Sequence, residues 1–106
     1  MRVAPQSDVF HAIADPTRRR ILELLRDGDR PVQDLVTRVD VTFGAVSQHL
    51  KTLRESGLVS CRKDGRRRIY RLQAEPLRQI HDWTAVYQKA WRRRFRKLRT
   101  HLEGDS

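Results

Sequence analysis

The chain has 106 residues, the length of one ordinary domain and too short for two, so residues 1–106 are expected to form a single unit. Its 38% hydrophobic residues suffice for one modest core, while 23 Lys and Arg against 13 Asp and Glu leave a formal charge of +10; a surplus that large on so small a body points to a polyanionic partner, nucleic acid before anionic membrane. A single cysteine, Cys61, excludes a disulfide framework and a Cys-cluster metal site, no apolar run approaches a membrane span and no apolar leader is visible, so the expectation is a soluble, cytoplasmic binding protein rather than an enzyme with a deep pocket.

In chain order, Ser7 suits the cap of a first short helix carrying Val9, Phe10, Ile13 and Ala14. Asp15-Pro16 is a restart signal, because Asp suits the N-cap and the missing N–H of Pro costs nothing at the first helical position. The second helix places Ile21, Leu22 and Leu25 on one face and stops at Gly28. Its opening Arg18, Arg19 and Arg20 oppose the helix dipole, which is easier to understand if at least one meets a phosphate or an acidic neighbour and the others are solvated. Val32, Leu35, Val36 and Val39 keep the spacing of a third helix. Asp40-Val41-Thr42 reads as a tight turn, with Thr42 capping a fourth helix from Phe43 to Glu55 that stops at Ser56-Gly57. Two short helices around a turn of about three residues form a helix-turn-helix.

Leu58–Lys63 and Arg66–Leu72 are strand-like runs around Asp64-Gly65, a hairpin signal read as a type I′ turn with positive φ at both central residues. A last helix is expected from near Pro76 to about Leu102. The fold class is therefore mainly α with a small β-hairpin, in the order α-α-α-α-β-β-α of a winged helix-turn-helix.

On the fourth helix Val46, Leu50 and Leu53 share one side. Thr42, Phe43, Gly44, Ala45, Ser47 and Gln48 make an N-terminal surface of mostly small or amide side chains, with His49 and Lys51 beside it. A helix entering the major groove needs little bulk near the base edges and an amide able to pair with adenine. At the hairpin, Lys63, Arg66, Arg67 and Arg68, with Arg62, suit an arm lying along the phosphate backbone. The stripe Leu77, Ile80, Thr84, Tyr87, Trp91, Phe95, Leu98 and Leu102, with Trp83 beside it, is longer than so small a body can cover, so part of it should face a second subunit. The basic cluster Lys89, Arg92, Arg93, Arg94, Arg96, Lys97 and Arg99 is read as a solvated face in preference to a direct DNA contact.

Catalysis and metal binding find little support. The four histidines are scattered without the i, i+4 spacing of a helical zinc site, and Ser47 near His49 lacks a placed acid. Cys61, mid-strand, is read as a small buried hydrophobe, with a thiolate lowered by Arg62 and Lys63 as the alternative. No catalytic residue, no metal ligand and no cofactor is expected.

These residues together resemble the ArsR family of bacterial winged-helix regulators. Phe10–Leu22, with Ala14-Asp15-Pro16-Thr17-Arg18-Arg19-Arg20-Ile21-Leu22, is similar to that family's opening segment. Val46-Ser47-Gln48-His49-Leu50-Lys51 and Leu53–Val59 are similar to its recognition helix and exit, and Asp64–Tyr70 to its wing. The resemblance implies a homodimer joined by its first and last helices, through residues such as Phe10, Ile13, Tyr87, Trp91, Phe95 and Leu98, that represses transcription from an imperfect palindrome in double-stranded DNA, cytoplasmic and at the nucleoid when DNA-bound. The family's classical metal sensors carry Cys-x-Cys in the third helix or an Asp/His/His/Glu set in the last. Val32–Val39 here has no Cys, and His81 and His101 lie too far apart on one helix to repeat the second pattern. The resemblance therefore carries DNA binding and dimerisation, and it leaves the effector unknown. Two rivals stand beside it: a sequence-indifferent compaction protein, and a ligand- or redox-responsive switch acting through Cys61 or an aromatic pocket near Trp83 and Tyr87.

Overall fold

Three helices of this chain begin where a side-chain oxygen is available for the first free N–H groups. In the computed structural model, which describes residues 8–104, α1 (Val9–Ile13) is capped by Asp8, whose carboxylate accepts from the Phe10 N–H at 2.8 Å. The expected cap, Ser7, lies outside the described residues. Asp15 caps α2 (Pro16–Arg26) through the Arg18 N–H, with Pro16 in the first turn. The Thr42 hydroxyl caps α4 (Phe43–Glu55) through the Ala45 N–H at 3.1 Å. Between them, α3 (Val32–Arg38) follows Pro31 without a side-chain cap.

The exit of α4 is equally explicit. The Leu58 N–H donates to the Leu53 carbonyl at 2.9 Å and the Gly57 N–H to that of Arg54 at 3.0 Å, the paired bonds of a Schellman ending. Gly57 adopts φ +79°, a conformation that costs glycine nothing. Leu53 and Leu58, the two residues this ending brings together, are both fully buried.

Ile21, Leu22, Leu24 and Leu25 from α2, Val32 and Leu35 from α3, and Val46, Leu50 and Leu53 from α4 form the core with Val9, Ala12, Leu58, Val59 and Tyr70. Each large aliphatic side chain removed from water here contributes about 1.5–3 kcal/mol. That burial fixes α4 against the body with its opposite side free.

The hairpin pairs β2 (Val59–Asp64) antiparallel with β3 (Arg67–Leu72), from Val59↔Leu72 to Asp64↔Arg67. Its turn is displaced by one residue from the expected one. Gly65 and Arg66 are the central pair, and only Gly65 has positive φ, +65°. That is the type II′ pattern, in which glycine alone occupies the left-handed position and Asp64 stays in the strand. A third strand was not expected either: β1 (Arg30–Pro31) pairs with β3 through Arg30↔Tyr70 and Pro31↔Ile69, giving the sheet order β1-β3-β2.

A 3-10 turn, Glu75–Leu77, precedes α5 (Arg78–Gly104), so the helix begins two residues after Pro76. At 1.5 Å per residue α5 is about 40 Å long, and none of its residues is buried. The radius of gyration is 18.4 Å and the longest extent 62 Å, against about 13 Å for a compact chain of 100 residues. The excess is α5, projecting from the body.

Candidate nucleic-acid interface

Burial of Val46, Leu50 and Leu53 turns Gly44, Ser47, Gln48, Lys51 and Glu55 of α4 outward, and all five are exposed. Phe43 is exposed at the helix start and Ala45 is half-buried beside the Thr42 cap. A Cβ at Gly44 would meet nothing within 4 Å, so packing inside the chain does not require glycine there. The first turn of α4 thus offers a low, unobstructed surface backed by a helix N-terminus, where free N–H groups favour phosphate.

His49 faces the other way. Its Nδ1 lies 3.2 Å from Arg18 Nη1 and its Nε2 3.9 Å from Asp15 Oδ2. Partial burial works against ionisation of Asp15, yet the Arg18 N–H, the His49 ring and the Arg18 guanidinium together hold its carboxyl below the usual Asp range. Arg18 also donates Nε to the Ala12 carbonyl at 2.7 Å and Nη2 to that of His11 at 3.0 Å, and Arg19 donates to the Ile13 carbonyl at 2.8 Å. The arginines that oppose the dipole of α2 therefore cap the C-terminal carbonyls of α1, where cations are favoured. Arg20 reaches Glu23 at 3.6 Å.

On the wing, Arg62 is tied to Asp29 at 2.8 Å, while Lys63, Arg66, Arg67 and Arg68 are exposed and outside every ion pair among the described residues. A cleft of about 340 Å³ separates the wing from α4, lined by Val32, Phe43, Ser47, Lys51, Arg54, Arg68 and Tyr70. Burial raises the Tyr70 hydroxyl above its ordinary pKa, helped by contact with Cys61, its cross-strand partner. Cys61 is half-buried against the core. Lys51, Arg54 and Arg68, without carboxylate partners among the described residues, give this cleft a positive lining beside two hydroxyl groups and a ring. At about 100° per residue, Arg54 falls on the same side of α4 as Phe43 and Ser47. That spacing was legible; its opposition to Tyr70 across the cleft was not.

Between α1 and α5, Phe10 (38% exposed) meets Trp83 edge-on at 5.9 Å. Trp83 meets Tyr87 at 5.8 Å, and Tyr87 stacks on Trp91 at 6.4 Å. These rings form a ladder along the surface of α5, where the rival reading of a ligand-responsive switch would need a pocket. Phe95, Leu98 and Leu102 continue the line in the open, whereas Ile13 is half-buried against the core.

The profile described as "Bacterial regulatory protein, arsR family" matches residues 15–60, from the Asp15 cap through α4 into β2. The chain is 34% identical to the transcriptional repressor SdpR of Bacillus subtilis, over 73% of this chain and 86% of that protein. It belongs to the ArsR family. The arsenical resistance operon repressor of Escherichia coli is 41% identical over 79% of this chain and 70% of its own length. An ArsR-like transcriptional regulator from Rhodococcus superposes with a TM-score of 0.70 at 32% identity, covering 92% of this chain and 89% of that one. As an ArsR-family protein the chain is a DNA-binding transcriptional regulator with a winged helix-turn-helix fold, and it is not an enzyme.

Within that ArsR frame the structure leaves Thr42, Phe43, Gly44, Ser47, Gln48 and Lys51 exposed at α4, with Arg68 of the wing across the cleft and Lys63, Arg66 and Arg67 exposed on the hairpin. It turns His49 toward α2. No helix is long and apolar enough to cross a membrane among the described residues.

Proposed function

We propose that this regulator is a homodimeric repressor acting in the bacterial cytoplasm, at the nucleoid when bound. The first turns of α4 enter the major groove, with Gln48 reading a base and Ser47, Thr42 and the helix N-terminus on phosphates. Lys63, Arg66, Arg67 and Arg68 of the wing hold the flanking backbone. The Phe10, Tyr87, Trp91, Phe95 and Leu98 seam joins two copies, so that two α4 helices address an imperfect palindrome about one duplex turn apart. Residues 1–106 act as one unit, neither metal nor membrane takes part, and no effector is assigned. The observation that carries the reading is the surface around Gly44, small and unobstructed where the chain itself has no use for a small residue. That the similar proteins of B. subtilis and E. coli are repressors supports the direction of control.

Selecting bound duplexes from a random pool gives the operator. On it, Gln48→Ala should relax base preference and cost about 1–3 kcal/mol. Arg67→Ala should weaken all sequences alike and flatten the salt slope by about one unit. A Gln48→Ala protein with unchanged affinity and unchanged preference would remove α4 from the role of reader.

A further inference from the structure

The net charge that first pointed to nucleic acid is not concentrated on the reading head. Lys89, Arg92, Arg93, Arg94, Arg96, Lys97 and Arg99 carry seven of the ten net positive charges, and no Asp or Glu lies between Asp82 and Glu103. All seven are exposed on the half of α5 that projects from the body, and none meets a carboxylate among the described residues. Among the described residues only Arg92 of the seven makes an internal hydrogen bond, a long 3.5 Å one to the Gln88 carbonyl.

Angular placement separates most of these cations from the apolar seam, Arg94 alone lying beside Tyr87 at its edge. Ile80, Thr84, Tyr87, Trp91, Phe95, Leu98 and Leu102 fall within roughly 80° of one another at about 100° per residue, whereas Lys89, Arg93, Arg96 and Lys97 centre on the opposite side. A second copy on the seam would leave this cationic face free. Cations crowded at such density repel one another along the helix, a cost that an anionic partner would relieve. Over the roughly 15 Å from Lys89 to Arg99, a duplex presents about nine phosphates. A helix lying in a lipid interface would need its apolar face for acyl chains, and that face is the one given to the second copy.

We propose that the outer, cationic face of α5 between Lys89 and Arg99 is a second nucleic-acid contact, taking duplex phosphates without regard to sequence. It rests on the proposed pairing of α5 across its seam, and it adds to the recognition surface of α4 and the wing. The phosphates come either from the flanks of the operator or from a second duplex.

The test compares two duplexes carrying the same selected operator, one spanning only the two half-sites and one longer by about 15 base pairs on each side, with affinity followed against salt. With the intact protein the longer duplex should bind more tightly and with a steeper slope, by about two units or more, since each phosphate contributes about 0.9. The Lys89→Gln/Arg93→Gln/Arg96→Gln/Lys97→Gln variant, checked as a dimer by sedimentation, should lose that gain and keep its affinity for the short duplex. A second arm presents a differently labelled duplex to the operator complex: capture by the intact protein and loss in the variant would place the phosphates on a second molecule. Equal slopes on both duplexes together with no capture, in the intact protein alone, would overturn the proposal even if the variant failed to fold. Vesicles containing phosphatidylserine that bind the intact protein but not the variant, while DNA slopes stay equal, would also overturn it in favour of a membrane partner. Gln48→Ala on the short duplex reports on the reading head separately, so failure there is distinguishable from failure of the α5 contact.

Discussion

Gly44 costs its helix something that the fold does not ask for. Glycine in a helix is less favourable than alanine by about 0.5–1 kcal/mol, and a Cβ at this position would touch nothing. Gly44→Ala should therefore stabilise the protein, by about 0.5 kcal/mol in the first turn of a helix, while weakening operator binding because the methyl group stands between α4 and the groove floor. Urea denaturation and operator titration should move in opposite directions; a variant that loses stability would show that the glycine serves the chain itself. Acid provides a second test on single residues. Hydrogen bonds from Arg30 (2.7 Å) and Arg38 hold the Asp34 carboxyl below its ordinary value of 3.8 despite some desolvation, and Asp15 is lowered as well. Both are bound as anions, so their stabilisation is complete above the unfolded-state value. It fades as the pH falls through the lowered folded-state values. Urea midpoints should decline as the pH falls below about 4, with Asp34→Asn showing a shallower decline there. A midpoint that climbs on acidification would contradict the assignment.

At the scale of elements, what could be read from the chain was whatever local periodicity and capping decide. Asp15-Pro16, Thr42 and Gly57 mark helix ends because each satisfies orphan backbone groups by itself, and the stripe of Val46, Leu50 and Leu53 is the buried side of α4. Elements that exist only through tertiary pairing were not legible. Two residues, Arg30 and Pro31, have no strand signal of their own; β3 makes them a strand, and Arg30 is held there by the Leu24 carbonyl and Asp34. The hairpin turn shifted for a local reason that the Asp-Gly pair disguises, since Gly65 serves equally as the first or second central residue and only the register with β2 decides. The long stripe of α5 was legible, and Trp91 within it is half-exposed, its one ring partner among the described residues being Tyr87. Trp91→Ala should remove a contact worth about 2 kcal/mol or more across the seam, so sedimentation at micromolar concentration should show more monomer with unchanged thermal stability of the head. A mutant that stays dimeric and unfolds more easily would place Trp91 in the subunit's own core.

For the whole molecule, composition announced the partner without saying where it would bind. The +10 surplus divides between a reading head, where Arg18, Arg30 and Arg62 are spent on internal bonds, and a projecting helix whose cations remain open. Charge counting cannot make that division, because an arginine bonded to a backbone carbonyl and one waiting for phosphate look the same in a sequence. The absence of any buried residue from α5 has a consequence for control. The buried core runs from α1 to β3 within a single chain, with Leu77 and Ile80 packed against it, so the subunits of the proposed dimer should separate as folded monomers instead of unfolding on dissociation. Operator occupancy then varies with about the square of protein concentration while the protein lies below its dimerisation constant, and promoter silencing becomes a threshold in cellular dosage. Dilution of the intact protein should lower the sedimentation coefficient with no loss of helical signal, and the melting temperature should barely follow concentration. Unfolding that accompanies dissociation would instead mean that each subunit needs its twin to fold, and the threshold would become one of survival rather than of occupancy.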